Sequence, residues 1–421
     1  MKQGPKATIR LPQAVALYIG AVLGAGILIV PGLAAQIAGP ASLIDWGFLL
    51  LLVLPLSLCM AYLSQKYPVS GGVCYFVTKA FGKIPGAIAG WLFLMSVPIG
   101  APVAALTGAG YLSAALDLSE TSRITIACMV LIIALLLNYL GMNVAGRIQV
   151  AVIFGILTIL CLTIIGAAPH LKWIYFSPFM PHGVMSIGRA STILFWCFIG
   201  WEAVSNLSEE FVHPERDVRR ATLIAAIVMG GLYFMTAIAV IGTDSYKNQS
   251  QAALVNVAGE TYGRLGTILT GIASLLICLA TVMAYTGAAS RLAYSLSENG
   301  LAPKWFGRRS PKYTTPLGGL LFLALCFICV MASYALRLIS LTELIQLPNA
   351  TFLLNYLSGC AAGVVLFKNE RKKLIVSLIS LLATAIMFLF VGWAIVYPIV
   401  IFLMIVIGKM WIEHKKIRIN K

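Results

Sequence analysis

Few residues in this 421-residue chain are placed to do chemistry. Of its 14 acids, Glu202 alone lies well within an apolar run, in "FWCFIGWEAVSNL". Asp45 sits near the start of another run, where an acid complements the positive end of a helix dipole. His170, His182, His213 and His414 all fall outside the centres of the runs, which argues against a histidine proton relay or a metal centre. Cys326 and Cys329 form a CxxC with no further Cys or His beside them, so the nine cysteines read as packing thiols. HExxH, GxSxG, Walker A and a strand-helix GxGxxG are all missing. The chain therefore does not read as an enzyme. An ionisable group at membrane depth is costly and so a functional candidate by default. Glu202, beside Gly200, reads either as a gating or coupling carboxylate or as a structural hydrogen-bonding residue.

The backbone offers more. "YIGAVLGAGILIVPG" puts Gly20, Gly24, Gly26, Pro31 and Gly32 inside one apolar run. Such density of helix breakers unwinds a helix, and unwound backbone is tolerated at membrane depth only where it is packed in protein or lines a polar cavity. A restarted helix exposes unpaired N–H groups that attract an anion. "FIG", Phe198 to Gly200, is a matching interruption in a later run. Gly82/Gly86/Gly90 and Gly359/Gly363 have the spacing of close helix–helix contacts instead.

The elements that must carry these breaks are membrane helices. The chain is 60% hydrophobic and 10% charged, with mean hydropathy +0.94, whereas soluble domains are closer to a quarter charged. Apolar runs at 13–37, 41–63, 84–112, 122–141, 147–168, 186–206, 220–242, 264–290, 317–336, 341–366, 374–391 and 393–411 predict twelve transmembrane helices. They are continuous rather than alternating, which excludes a β-barrel. The net charge of +16 reports topology, not nucleic acid: with the N-terminus inside, 24 of 30 basic residues fall in cytoplasmic loops and tails. That positive-inside bias predicts both termini in the cytoplasm. The basic tail HKKIRINK can contact lipid headgroups. The apolar start of the chain is too long for a signal-peptide core and lacks a convincing cleavage pattern. The two interruptions begin runs one and six, as expected if 13–168 and 186–366 are inverted five-helix repeats followed by two added helices at 374–411.

Four ordered segments resemble one family. "GAVLGAGI" is similar to the glycine-rich first-helix motif of the amino acid–polyamine–organocation (APC) transporters. "AYLSQKYPVSGGVCYFVTKAFG" resembles the stretch between their second and third helices. "FWCFIGWEAVSNLSEEFVHPERDVRRA" resembles the sixth helix and its loop, and "SRLAYSLSENGLAPKWFGRRSPKYTTP" the eighth. The sixth-helix run and "GWLFLMSVPIGAP" look closest to the bacterial exporters of methionine and branched-chain amino acids. The resemblance spans nearly the whole chain. It implies an all-α, LeuT-like fold, a 5+5 inverted repeat in a single transporter domain.

The resemblance also implies site residues. A substrate carboxylate would meet amides of Ala25, Gly26 and Ile27 beside Gly24. Its ammonium would meet carbonyls of Val22, Trp196 and Ile199, flanked by Phe198 and Gly200. Trp196 would cover the substrate, Glu202 would gate, and Tyr285 would line the pocket; core or lipid packing is the plainer reading of both aromatics. Departures bear on the coupling ion. Tyr62 stands where relatives often carry an acid, and the fifth run, "IQVAVIFGILTILCLTIIG", lacks the lysine of some proton-coupled relatives. Thr281 and Thr286 could offer hydroxyls to sodium. No cofactor or metal is implied, and protons are a candidate coupling ion.

With no charge at the side-chain end of the pocket, the expected substrate is a neutral hydrophobic amino acid: methionine, leucine, isoleucine or valine. A methylene in an apolar pocket is worth only about 1–3 kcal/mol, so substrates should overlap. Export is expected from the resemblance alone, since residues do not encode direction. The rivals are a proton-coupled importer or exchanger of other amino acids or amines, and an amino-acid receptor without flux. The expected partners are a small amino acid and the bilayer of the cell membrane, with no nucleic acid, in a monomer or homodimer.

Overall fold

The computed structural model describes residues 10–67, 72–140, 145–201 and 212–405. Among these there is no β-strand. The helices are α1 (Leu11–Leu23), α2 (Gly26–Ala38), α3 (Ser42–Lys66), α4 (Gly72–Phe81), α5 (Lys83–Ala115), α6 (Glu120–Leu140) and α7 (Ala145–Ala167). The chain continues with α8 (Val184–Leu194), α9 (Pro214–Gly242), α10 (Ala253–Glu298), α11 (Leu317–Ala335), α12 (Leu341–Leu366) and α13 (Arg371–Phe388). A last helix, α14, runs Gly392–Ile405.

Among the described residues seven helices are long and apolar enough to cross a membrane, or eight if α13 and α14, bent by 113°, make one span. The apolar runs of the sequence fall on these helices with boundaries shifted by a few residues, except where a run is broken. Run one is two helices, α1 and α2, separated at Gly24 and Ala25. Run six is α8 followed by a 3-10 turn, Phe195–Phe198, then Ile199 and Gly200. Run eight belongs to a longer helix interrupted at Gly263, whose φ of 60° and ψ of −152° divide α10 into a short arm and a span.

Small residues set how closely the helices approach. A Cβ placed on Gly108 of α5 would lie 2.7 Å from the Cβ of Cys278 of α10, and one on Gly271 would lie 2.7 Å from that of Ala115. These two helices therefore pack nearly backbone to backbone, without a hydrophobic driving force from water. Gly359 and Gly363 of α12 lie against side chains of Met60 and Cys59 of α3 and Ser377 of α13, and Gly86 and Gly90 of α5 against Thr78 and Cys74 of α4. These four glycines are packing positions, whereas among the described residues Gly82 has nothing against it and instead caps α5 at φ +95°.

Candidate functional site

The break in the first span has a local cause. Gly24 takes φ +37°, a left-handed conformation that costs glycine little and other residues more. Ala25 then caps α2, and its carbonyl accepts from the N–H groups of Leu28 (3.2 Å) and Ile29 (3.3 Å). The N–H groups of Gly26 and Ile27 stand at the open start of α2, where a helix has no internal partner for them. At the other side of the break, the end of α1 is held by α9. The Tyr233 hydroxyl donates to the carbonyls of Val22 (3.0 Å) and Leu23 (3.2 Å). A carbonyl oxygen has two lone pairs, so Val22 keeps one acceptor site.

The two broken spans touch. A Cβ on Gly26 would lie 3.0 Å from the Cα of Cys197 and 3.1 Å from its Sγ. Glycine at 26 is what lets the start of α2 rest on the backbone of the unwound turn. Tyr18 of α1 and Trp201, just past that turn, add a ring contact at 5.7 Å.

Around this contact lies a cavity with about 470 Å³ of empty space. Of the residues singled out from the sequence, Val22, Gly24, Ala25, Gly26, Trp196, Ile199 and Tyr285 all line it. Ile27 and Gly200 lie next to it in sequence without lining it. Glu202 and the side chain of Phe198 lie outside what the structure describes. Thr281, considered for a cation, also lines the cavity beside Gly24, and its hydroxyl donates to the Ile277 carbonyl at 3.0 Å. Thr286 is buried, and its Oγ1 has no hydrogen-bond partner.

Sequence reasoning missed one wall of the cavity. Ser96, Val97, Gly100, Ala101 and Ala104 of α5, Val282 of α10 and Phe352 of α12 complete the described lining. The signal was present in "SVPIGAP": Pro98 and Pro102 lie inside α5 and free carbonyls from its ladder, as Pro348 does in α12 one turn before Phe352. Phe93, Tyr285 and Phe352 form a triangle of rings with centroids 6.0–6.3 Å apart, of which Tyr285 and Phe352 line the cavity. Trp196 projects to within 3.3 Å of where a Cβ of Gly100 would be. Among the described residues no lining side chain is charged. The cavity thus offers helix-terminus N–H groups and carbonyls at one side and apolar and aromatic surface at the other. That is the chemistry for a small zwitterion with an apolar tail.

A family model for amino acid permeases matches residues 9–412. The chain belongs to the amino acid permease family. It is 38% identical over 390 residues to the uncharacterized amino acid permease YecA of Bacillus subtilis, covering 92% of each chain. It is 29% identical over 402 residues to the L-methionine/branched-chain amino acid exporter YjeH of Escherichia coli, covering 94% of each. It is 27% identical over 378 residues to the branched-chain amino acid permease BcaP of Bacillus subtilis, covering 84% of this chain and 79% of that one. The relatives support the APC superfamily and its exporter branch, which the sequence motifs anticipated. A permease with several apolar membrane-length helices fits a cell-membrane protein. Among the described residues no group of three or more His, Cys, Asp or Glu is placed to hold a metal ion.

Proposed function

We propose that this permease is a secondary carrier that exports neutral hydrophobic amino acids, methionine, leucine, isoleucine and valine, by alternating access. The observation that carries the reading is the meeting of two helix breaks on one cavity whose described lining is uncharged. In this reading the substrate carboxylate accepts from the N–H groups of Ala25 and Gly26, aided by the dipole of α2. The ammonium donates to the free lone pair of Val22 and to carbonyls of Trp196 and Ile199. The apolar side chain lies against Tyr285 and Phe352, backed by Phe93, and under Trp196. A zwitterion is thereby held without a charged residue, in keeping with transporter sites built on discontinuous helices. The names of the Escherichia coli exporter and the Bacillus subtilis branched-chain permease favour this substrate class.

The proposal includes twelve spans, the 5+5 inverted repeat at 13–168 and 186–366 with two added helices, and cytoplasmic termini. Reconstituted protein should exchange radiolabelled methionine for unlabelled leucine in counterflow, with arginine and glutamate failing to compete. Binding of leucine without any exchange would favour the receptor reading. Exchange confined to charged amino acids would sink the proposed substrate class.

A further inference from the structure

Asp45 complements the start of α3, but its surroundings ask more of it. It sits one turn into α3 and is 1% exposed. Its Oδ1 accepts the Ser191 hydroxyl of α8, and its Oδ2 has no hydrogen-bond partner. Among the described residues no Lys, Arg or His lies within ion-pair distance of it. A buried carboxylate without a cation is costly in the membrane interior, and an ionisable group kept there is a functional candidate. Among the described residues its one side-chain hydrogen bond is to Ser191 of another helix, so the carboxyl joins α3 to α8.

Its partner helix is the one whose position matters. The Asn349 amide of α12 donates to the carbonyl of Thr192 at 3.0 Å, one residue after Ser191. Helix α8 is thus hung between α3 and α12 a single turn before the unwound segment that carries Trp196 into the cavity. On the other side of Asp45, Trp46 stacks on Tyr233 at 5.5 Å, and Tyr233 holds the carbonyls that end α1. Asp45 is therefore next to both broken spans without lining the cavity.

We propose that Asp45 is a proton-binding residue of the transport cycle, its protonation tied to the position of α8 through Ser191. A proton from water on one side adds to the carboxylate and later returns to water on the other, leaving no net change in the protein. This rests on the carrier reading above. Other ionisable groups on the elements packed here are Tyr233 of α9, Arg189 of α8, Glu343 in the first turn of α12, and Tyr175 and His182 in the connection before α8. Helix α2 carries none. The charges of α13 and of the start of α9 lie at the far end of α3, where Lys66 meets Glu370 and Gln65 meets the Glu215 carbonyl.

The test uses the full chain in proteoliposomes. Wild-type leucine flux should be accelerated several-fold by a pH gradient, and Asp45→Asn should lose that acceleration while still exchanging leucine. A structural role for Asp45 would alter thermal stability but not the pH profile. Asp45→Asn protein that keeps the pH-gradient drive, or wild type that ignores the gradient, overturns the proposal. If Asp45→Asn does not fold, infrared difference spectra of wild type and Ser191→Ala replace it. A carboxylic-acid C=O band that titrates, and that moves in Ser191→Ala, supports Asp45; no titrating band, or an unmoved one, overturns it. Wild type that exchanges no amino acid sinks the carrier reading instead, and the infrared measurement still judges Asp45 on its own.

Discussion

The two broken spans do the same job with opposite materials. The first breaks sharply, over Gly24 and Ala25, and its helices restart at once on either side. The sixth loosens gradually, through a 3-10 turn of large residues, Phe195 to Phe198, before Ile199 and Gly200. The first break supplies backbone to the cavity, and small residues let that backbone be approached. The second supplies bulk: Trp196 enters the cavity, and Phe195 packs on Tyr356 at 5.5 Å. A carrier that must both bind and cover its substrate can divide these tasks between the two halves. The tight contact of Gly26 on Cys197 makes them one unit.

Filling that contact should have the largest effect. Gly26→Val places a branched side chain against the Cys197 backbone and beside the N–H groups at the start of α2. Overpacking of this kind costs about 1–3 kcal/mol, so leucine exchange should fall roughly 5- to 150-fold. Because the nearest atom is the Cys197 Cα at 3.0 Å, trimming the sulfur with Cys197→Ala should restore little. Full rescue by that second change would show that the spans meet through side chains, and the contrast drawn here would fail. On the other span, Trp196→Ala should raise KM for leucine by on the order of tenfold and admit larger amino acids, since a removed ring leaves apolar space. An unchanged substrate panel would assign Trp196 to packing alone.

The legibility of the two spans differed for physical reasons. The first break announced itself, because glycine density and a proline are local signals for lost helix. The sixth was legible only in its last residue, Gly200: aromatics and cysteine in a 3-10 turn carry no breaker signature, and tertiary contact with Gly26 holds the turn. The all-helical character was readable, since continuous apolar runs leave little else in a bilayer, but the short α4 and the early start of α10 at Ala253 were not. What the runs did not reveal was their pairing. The pairing of α5 with α10 rests on contacts such as Gly108 on Cys278 and Gly271 on Ala115, and the Asp45–Ser191 bond joins residues 146 positions apart. Contacts of that range leave no periodic trace in a single sequence.

A smaller effect sharpens the comparison at the carbonyl side of the first break. Tyr233→Phe removes the hydroxyl that holds Val22 and Leu23 while keeping the ring on Trp46. A net hydrogen bond is worth about 1 kcal/mol, roughly fivefold in an equilibrium constant. Exchange should fall by about that factor, through KM if Tyr233 orders the site. A change in kcat alone would place the tyrosine in the motion between states.

The smallest expected effect lies away from both breaks, where the far end of α3 meets the connection between α12 and α13. Glu370 accepts from Lys373 at 2.6 Å and from Lys66 at 2.8 Å, and both lysines also lie over the Phe367 ring. The Lys373 bond first, and the Lys66 bond second, hold the Glu370 carboxyl below its ordinary value of 4.5. A folded-state value below the unfolded one contributes stability at neutral pH that disappears as pH falls from 4.5 through the folded value. The group is more than one-third exposed, so solvent screening limits the contribution to about 1 kcal/mol or less. Glu370→Gln should therefore lower the melting temperature slightly at neutral pH and leave it equal to wild type in acid. Because the clamp touches neither broken span, its loss should leave KM for leucine unchanged; a shift in KM would mean that α3 transmits its far end to Asp45 and the cavity.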